Sequence, residues 1–167
     1  MKEKGPILVS ACLAGVKCRY DGGHNNVPEI NEMVERGLAI PVCPEILGGG
    51  GIPREPYEIV GGDGGAVLDG KARVKTPSGN DGTELFVRGA EEVLRAANKC
   101  NAVAAVLKER SPSCGSSMIY DGTFTGGKIP GMGVAAAILQ RAGIKVYSEE
   151  DFKAKGIGFG LWGKCLF

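Results

Sequence analysis

Residues 6–22 of the chain are PILVSACLAGVKCRYDG, and this stretch decides the fold. The apolar run at its start, Pro6-Ile7-Leu8-Val9, is short and rich in branched side chains, which is typical of a buried strand. Cys12 and Cys18 follow as that strand ends, in a loop that contains Gly15. Ligands in open α/β folds collect where strands run out into loops. The stretch therefore predicts that these two thiols hold a ligand rather than fill a core.

Two further strands along the chain also end in a cysteine. A predicted helix over residues 28–37 leads to the apolar run 38–42, which ends in Cys43. The apolar run 102–107 gives way to a Ser/Pro/Gly loop that contains Cys114. Since right-handed crossovers between parallel strands place the strand ends at one edge of a sheet, we expect the three cysteine loops to lie together.

The remaining segments predict further elements around this sheet. Three short segments that alternate in a β manner between glycine turns predict a small antiparallel excursion: 58–60, 66–68 and 72–74. The other predicted elements are a helix at 84–99 capped by Thr83, a hairpin or projecting loop at 117–125, a helix at 131–141, a strand at 144–147 and a capped helical turn from Ser148. We therefore expect an α/β fold with a mainly parallel sheet flanked by helices, plus the antiparallel excursion. A single compact domain at 1–152 would be followed by a glycine-rich C-terminal extension at 153–167.

Composition narrows the class of protein. The chain has 167 residues with 20 basic and 19 acidic side chains, so bulk nucleic-acid binding is not favoured. No apolar run approaches the roughly 20 residues that a membrane helix needs, and the N-terminus lacks the apolar segment of a signal peptide. We therefore expect a cytoplasmic protein with no membrane partner. The four-glycine run at 48–51 is expected to be a flexible wall or turn near the site rather than a phosphate loop.

The expected cytoplasmic location determines how the six cysteines are interpreted. In a reducing cytoplasm, cysteine clusters bind metal or perform redox chemistry more often than they form structural disulfides. His24 is the single histidine, so a metal would be held mainly by thiolates. Four thiolates on one centre would indicate structural zinc, whereas three thiolates with one open position would indicate a 4Fe–4S cluster. The predicted ligands are Cys12, Cys43 and Cys114, with Cys18 as a possible fourth.

Two polar side chains lie beside these predicted ligands. Glu45 follows Cys43 by two residues, and Ser111 precedes Cys114 by three. A carboxylate held near a dry, cationic cluster can carry protons, so both residues are candidates for acid/base work. The plainer interpretation of Glu45 is a solvent-facing acid. The plainer interpretation of Ser111 is an ordinary turn residue, since serine before proline is common in turns. Cys100, at the end of a predicted helix, is expected to be a small buried hydrophobe.

Three motifs of the chain together resemble the bacterial thiouracil desulfidase family, long known as a domain of unknown function. They are Ser10-Ala-Cys-Leu-x-Gly-x-x-Cys-Arg-Tyr-Asp-Gly22, Cys43-Pro-Glu45 and Ser111-Pro-Ser-Cys-Gly115, and the resemblance spans about residues 5–152. It implies a compact α/β fold and non-redox removal of sulfur from a thiolated uracil at a 4Fe–4S cluster. It also implies Cys12, Cys43 and Cys114 as cluster ligands, and Glu45 and Ser111 as residues that handle protons. Cys18 matches a cysteine of the first motif, for which the resemblance implies no definite role.

The leading hypothesis is therefore a desulfidase that acts on a small thiolated base or nucleoside by hydrolytic desulfuration at a 4Fe–4S cluster. The alternative is a non-enzymatic protein in which zinc or an iron–sulfur cluster is a structural or sensing element. A third hypothesis is a thiol redox protein that uses Cys12 and Cys18. It is disfavoured because the five residues between these thiols differ from the C-x-x-C motif of thioredoxin-like enzymes.

Overall fold

The computed structural model describes residues 5–155 and contains eight strands and six α-helices in that range. The strands are β1 (Ile7–Ser10), β2 (Ala39–Val42), β3 (Glu58–Val60), β4 (Arg73–Lys75), β5 (Ala104–Leu107), β6 (Met118–Tyr120), β7 (Lys128–Pro130) and β8 (Lys145–Ser148). The helices are α1 (Pro28–Glu35), α2 (Pro44–Leu47), α3 (Gly64–Leu68), α4 (Thr83–Cys100), α5 (Val134–Arg141) and α6 (Glu149–Lys155).

Four of the strands form one parallel sheet in the order β2-β1-β5-β8. Ile7 in β1 pairs with Ala39 of β2 on one side and with Ala104 of β5 on the other. The connection after β1 thus adds β2 on one side of β1, and the later strands β5 and β8 are added on the other side. This reversal makes a topological switch point between β1 and β5. Strands β3 and β4 pair antiparallel, and so do β6 and β7. The prediction of an α/β fold with a mainly parallel sheet and a small antiparallel part is confirmed.

Helices cover both faces of the sheet. Strands β1 and β5 are buried along their whole length, as expected for parallel strands covered on both faces. One face packs against α1 and α6 through Ile30 and Phe152, and the other packs against α4 and α5 through Val93 and Leu139. Within residues 5–155, no helix combines the length and the apolar character that a membrane span requires.

Two local predictions were wrong. Residues 66–68, predicted as a strand, lie in helix α3, because the Asp63 carboxylate accepts a hydrogen bond from the Ala66 N–H at 3.0 Å and caps that helix. Thr83 is not the cap of α4 but its first helical residue, and its hydroxyl accepts a hydrogen bond from the Val74 N–H at 2.9 Å. Both errors come from contacts that a short local pattern does not contain.

The other segments differ in extent rather than in kind. Of the two predictions for residues 117–125, the hairpin is observed, and its second strand, β7, extends it to Pro130. Helix α6 runs through the predicted domain boundary at residue 152 and ends at Lys155. The rest of the predicted extension, with Cys165, lies outside the described residues.

Candidate active site

The chain segments that leave β1, β2 and β5 line one cavity of about 410 Å³. The cavity lies at the switch point, where open α/β sheets bind their ligands, and its volume is typical of small-molecule sites, about 300–1,000 Å³. The six residues singled out from the sequence all line it: Cys12, Cys18, Cys43, Cys114, Glu45 and Ser111. Cys100 is half-buried at the end of α4, where its thiol donates to the Ala97 carbonyl oxygen at 3.6 Å.

Cys18 lies between Cys12 and Cys43 and is buried, with 5% of the residue exposed. Its thiol is in hydrogen-bonding contact with both neighbouring thiols. This hydrogen bonding lowers the pKa of the Cys12 thiol and, together with the backbone N–H of Ile46, lowers the pKa of Cys43 to about 7. The same two neighbours raise the pKa of Cys18. Two of the three predicted ligands are thus in surroundings that favour the thiolate, which is the form that binds metal.

Cys114 is in a different environment from the other two predicted ligands. It is 4% exposed, and burial raises its pKa to about 12 despite a hydrogen bond from the Ser10 hydroxyl. A bound cation deprotonates such a thiol outright. The surroundings of Cys114 therefore suit a metal ligand better than a free thiolate nucleophile.

The arrangement of donors can be compared with the two kinds of metal centre predicted from the sequence, structural zinc and a 4Fe–4S cluster. Among residues 5–155, no three Cys, His, Asp or Glu side chains converge closely enough to hold one metal ion. Structural zinc requires four ligands at about 2.0–2.3 Å from a single ion. In a 4Fe–4S cluster the cysteines bind different irons, so thiols from three separate strand ends need not meet at one point. Thiols that come from three separate strand ends are thus compatible with a 4Fe–4S cluster.

Both carboxylate oxygens of Glu45 are held by neighbouring side chains. Oε1 accepts a hydrogen bond from Arg54 Nε at 3.0 Å, and Oε2 accepts one from the Ser113 hydroxyl at 3.2 Å. The side chain is 15% exposed, so it is not an ordinary solvent-facing acid. A carboxylate offers about four lone-pair sites. Two contacts thus leave acceptor capacity on Glu45 for a water or a substrate.

Ser111 reaches Glu45 through Ser113. The Ser111 hydroxyl oxygen accepts hydrogen bonds from the backbone N–H groups of Ser113 and Cys114, at 3.2 and 3.1 Å. Because a hydroxyl oxygen has two acceptor lone pairs, its own hydrogen is left to donate to Ser113 Oγ at 3.0 Å. The Ser113 hydroxyl in turn donates to Glu45 Oε2. The result is a directed chain of hydrogen bonds from Ser111 through Ser113 to Glu45.

Comparisons with known proteins agree with this geometry. A family model described as 2-thiouracil desulfurase matches residues 7–151. The chain belongs to the 2-thiouracil desulfurase family. Membership confirms the resemblance inferred from the three cysteine motifs, and it confirms the prediction of an enzyme.

Two relatives of this desulfurase family member match nearly its whole length. A protein of Bacillus subtilis (strain 168), described as the uncharacterized protein YbbK, is 52% identical over 145 residues, which are 87% of this chain and 96% of that protein. A solved structure described as the 4Fe–4S-dependent thiouracil desulfidase TudS has a TM-score of 0.81 and 39% sequence identity, over 95% of this chain and 99% of that one.

Glu109 organises the loop that carries Cys114 in this desulfurase family member. The residue is 4% exposed, and its carboxylate accepts hydrogen bonds from the backbone N–H groups of Ser116, Ser117 and Met118 and from two serine hydroxyls. Burial alone would raise the pKa of Glu109, but these hydrogen bonds outweigh it, so the pKa lies below its usual value. The carboxylate thus ties the far side of the Cys114 loop to the end of β5.

Sequence reasoning missed Arg54, Ser113 and Glu109. Ser113 lies inside a motif that was recognised, and a second hydroxyl two residues after Ser111 was a signal that could have found it. Arg54 and Glu109 gave no such signal, because their roles depend on contacts made after the chain folds back on itself.

Proposed function

We propose that this protein removes sulfur from a thiolated pyrimidine, as the free base or nucleoside, by hydrolysis at a 4Fe–4S cluster. The observation that carries the proposal is the single cavity in which Cys12, Cys43 and Cys114 lie beside the hydrogen-bonded carboxylate of Glu45. The description of the structural neighbour as a 4Fe–4S-dependent thiouracil desulfidase supports both the cofactor and the class of substrate. Membership of the 2-thiouracil desulfurase family supports the same reaction.

Cys12, Cys43 and Cys114 would hold the cluster, because each follows a different strand of the sheet and all three line the cavity. When bound, the cluster supplies an iron without a protein ligand, a Lewis acid suited to a sulfur atom. Cys18 would act beside the ligands rather than among them, as the hydrogen-bond donor between the sulfurs of Cys12 and Cys43. Donors of this kind orient metal ligands and tune the metal site.

The residues around the cavity would handle the protons of the reaction. Hydrolytic desulfuration converts a C=S group and one water into a C=O group and hydrogen sulfide, with no net oxidation or reduction. The oxygen of water bonds to the ring carbon, the C–S bond breaks, and the two protons of water end on the sulfide. Glu45 would accept the proton from water and pass it to the departing sulfide, and the chain from Ser111 through Ser113, which donates to Oε2, would hold the carboxylate in place. Positioned acid/base groups of this kind typically contribute about 10²–10⁴ in rate.

The rival functions are less well supported. The structural neighbour is described as 4Fe–4S-dependent, which supports a cluster over structural zinc. A dithiol redox protein would use Cys12 and Cys18, but Cys18 also donates to Cys43 and so belongs to a three-sulfur arrangement. We propose a cytoplasmic location, because free thiols persist in a reducing compartment.

Anaerobic reconstitution followed by iron and sulfide analysis tests the proposed cofactor. The wild-type protein should bind about four irons per chain, and a Cys12/Cys43/Cys114 triple alanine variant should bind almost none. Cys100→Ala is the matched control, since it also removes a half-buried thiol but outside the cavity, and it should keep its iron. Iron retained by the triple variant would overturn the ligand assignment.

Release of sulfide and uracil from 2-thiouracil under anaerobic conditions tests the reaction itself. Glu45→Gln should lose about 10²-fold or more of kcat with its iron content intact, because an amide cannot accept and carry the proton. Glu91→Gln, an exposed position on α4, should match the wild type. Full activity of Glu45→Gln would remove Glu45 from the mechanism, and an inactive wild-type protein with a full cluster would refute the substrate.

A further inference from the structure

Arg54 joins three segments of the candidate site. Its Nε donates to Glu45 Oε1, its Nη2 to the Cys18 carbonyl oxygen and its Nη1 to the Gly51 carbonyl oxygen, each at 3.0 Å. Its backbone N–H donates to the Tyr20 carbonyl oxygen at 2.9 Å. Only 9% of the side chain is exposed. Because a guanidinium presents its donors in a rigid planar fork, several contacts made together fix the orientation of each partner.

The four-glycine run at residues 48–51 makes the turn that places Arg54 beside Glu45. Gly49 has a φ of +103°, in the left-handed region that favours glycine. The Gly50 N–H donates to the Glu45 carbonyl oxygen at 2.8 Å, and a Cβ atom at Gly50 would lie only 2.7 Å from that oxygen. The chain therefore turns back tightly against Glu45 before it reaches Arg54. This turn is what the glycines make possible, and it brings the guanidinium to the carboxylate.

The other cations that line the cavity are engaged elsewhere. Their ion pairs are Arg19–Asp21, Lys108–Glu149 and Arg110–Glu150. Among the cavity-lining cations that the structure describes, Arg54 is thus the one that forms an ion pair with Glu45.

We propose that Arg54 is a positioning residue for desulfuration, a role that rests on the proposed function. Arg54 holds one carboxylate oxygen of Glu45 and Ser113 holds the other, so the carboxylate keeps one orientation toward the cavity. The same guanidinium binds the Cys18 carbonyl oxygen, which fixes Glu45 relative to the loop that carries Cys12. Arg54 acts through Glu45, and a misplacement of about 1 Å at a reacting group costs about 10²-fold in rate.

The kinetic test compares Arg54→Gln with a matched arginine. Arg88, on α4, donates from Nε to the Gly48 carbonyl oxygen at 2.9 Å, so it supports the same glycine run without a described contact to Glu45. With 2-thiouracil and iron-normalised enzyme, Arg54→Gln should lower kcat by about 30- to 100-fold and change KM by less than about threefold. Arg88→Gln should stay within about threefold of the wild type in both. Arg54→Lys, which keeps the charge but cannot make the fork of contacts, should lose about tenfold in kcat.

A double-mutant cycle separates positioning from a general structural role. If Arg54 acts through Glu45, then Arg54→Gln should change kcat by less than about threefold in the Glu45→Gln background. The crystal structure of Arg54→Gln gives a readout that does not depend on activity. It should show the Glu45 carboxylate out of hydrogen-bond distance of Ser113, with the Cys114 loop unmoved.

Besides full activity of Arg54→Gln, three results would overturn the role of Arg54. They are losses that multiply in the double variant, an equal loss in Arg88→Gln, and an Arg54→Gln structure in which Glu45 keeps its hydrogen bond to Ser113. An active wild type with an equally active Arg54→Gln also rejects the role of Arg54 while leaving the proposed function standing. If the cluster-loaded wild type does not desulfurate 2-thiouracil, the proposed function fails. The crystal structure then still decides whether Arg54 positions Glu45.

Discussion

Replacing Glu109 by alanine should lower the free energy of unfolding by about 4 kcal/mol. Its Oε1 accepts hydrogen bonds from four backbone N–H groups, those of Arg110, Ser116, Ser117 and Met118. A buried donor left without an acceptor costs about 1–3 kcal/mol. The low end applies to each, because Ser116 and Ser117 lie near enough to the surface for water to replace part of the loss. Four donors at about 1 kcal/mol each give the expected total.

Glu109→Gln should cost less, about 1–2 kcal/mol. A glutamine oxygen can keep the four N–H contacts. The Ser116 and Ser117 hydroxyls, which donate to Oε2 at 2.9 and 3.0 Å in the wild type, can rotate and accept from the amide nitrogen instead. What is lost is charge assistance, because hydrogen bonds to charged groups contribute about 1.5–3 kcal/mol against about 0.5–1.5 kcal/mol for neutral ones. The two variants thus separate the loss of an acceptor from the loss of a charge.

The difference between wild type and Glu109→Gln should depend on pH. Because the pKa of Glu109 is lowered in the folded protein, its carboxylate contributes stability above the unfolded-state pKa of about 4.3. That contribution is lost as the pH falls through the lower folded-state pKa. The stability difference should therefore be full at about pH 7 and shrink below about pH 4.

Equilibrium urea unfolding of the cluster-free protein, followed by circular dichroism over this pH range, measures all three quantities. Glu91→Gln, at an exposed position of α4, should stay within about 0.5 kcal/mol of the wild type and is the matched control. A cost for Glu109→Gln equal to that for Glu109→Ala would refute the argument that the amide can replace the carboxylate. A stability difference that does not change with pH would refute the charge assistance.

Three further predictions address the site and its support. Ser113→Ala should lower kcat by about 10- to 100-fold with iron content unchanged, since it removes the hydroxyl that donates to Glu45 Oε2. Kinetics equal to wild type would contradict the role of this hydrogen-bond chain. Cys18→Ser should keep its iron after anaerobic reconstitution while Cys43→Ser loses it, and iron loss in both would make Cys18 a ligand. Gly89→Ala should destabilise the protein by about 2 kcal/mol in urea unfolding, because its Cβ would overlap the Pro44 carbonyl oxygen. Gly51→Ala should be neutral, because its Cβ would come no nearer than 4.0 Å to the Pro53 carbonyl oxygen.

The sheet and its cysteine loops could be predicted because they follow from general rules. Strands β1 and β5 are continuous apolar runs, as buried parallel strands must be, and the connection rules then place their ends together. A cysteine at each strand end was therefore enough to locate the cavity. The prediction at residues 66–68 failed because three apolar residues fit a strand or a helix equally well. The Asp63 side chain, which caps α3, decides between them.

The polar residues of the site could not be predicted in the same way. The role of Ser113 depends on the Ser111 hydroxyl donating its hydrogen to Ser113. That direction follows only because two backbone N–H groups already occupy the lone pairs of the Ser111 oxygen. Arg54 depends on a turn that four glycines permit but do not by themselves indicate. Glu109 would be costly to bury alone, and only the fold of the hairpin that follows supplies its donors. Side-chain hydrogen bonding in three dimensions is the common requirement.

Direct contact between backbones is the physical basis of the site's geometry. A Cβ atom at Gly89 would overlap the Pro44 carbonyl oxygen, so α2, which follows Cys43, packs directly on α4. A Cβ atom at Gly133 would likewise overlap Ser113, so the Cys114 loop packs directly on the start of α5. Two of the three predicted ligand loops thus contact the backbone of a helix that packs on the sheet. Backbone contacts allow less adjustment than contacts through flexible side chains, so the sheet and its helices set the positions of two predicted ligands, Cys43 and Cys114.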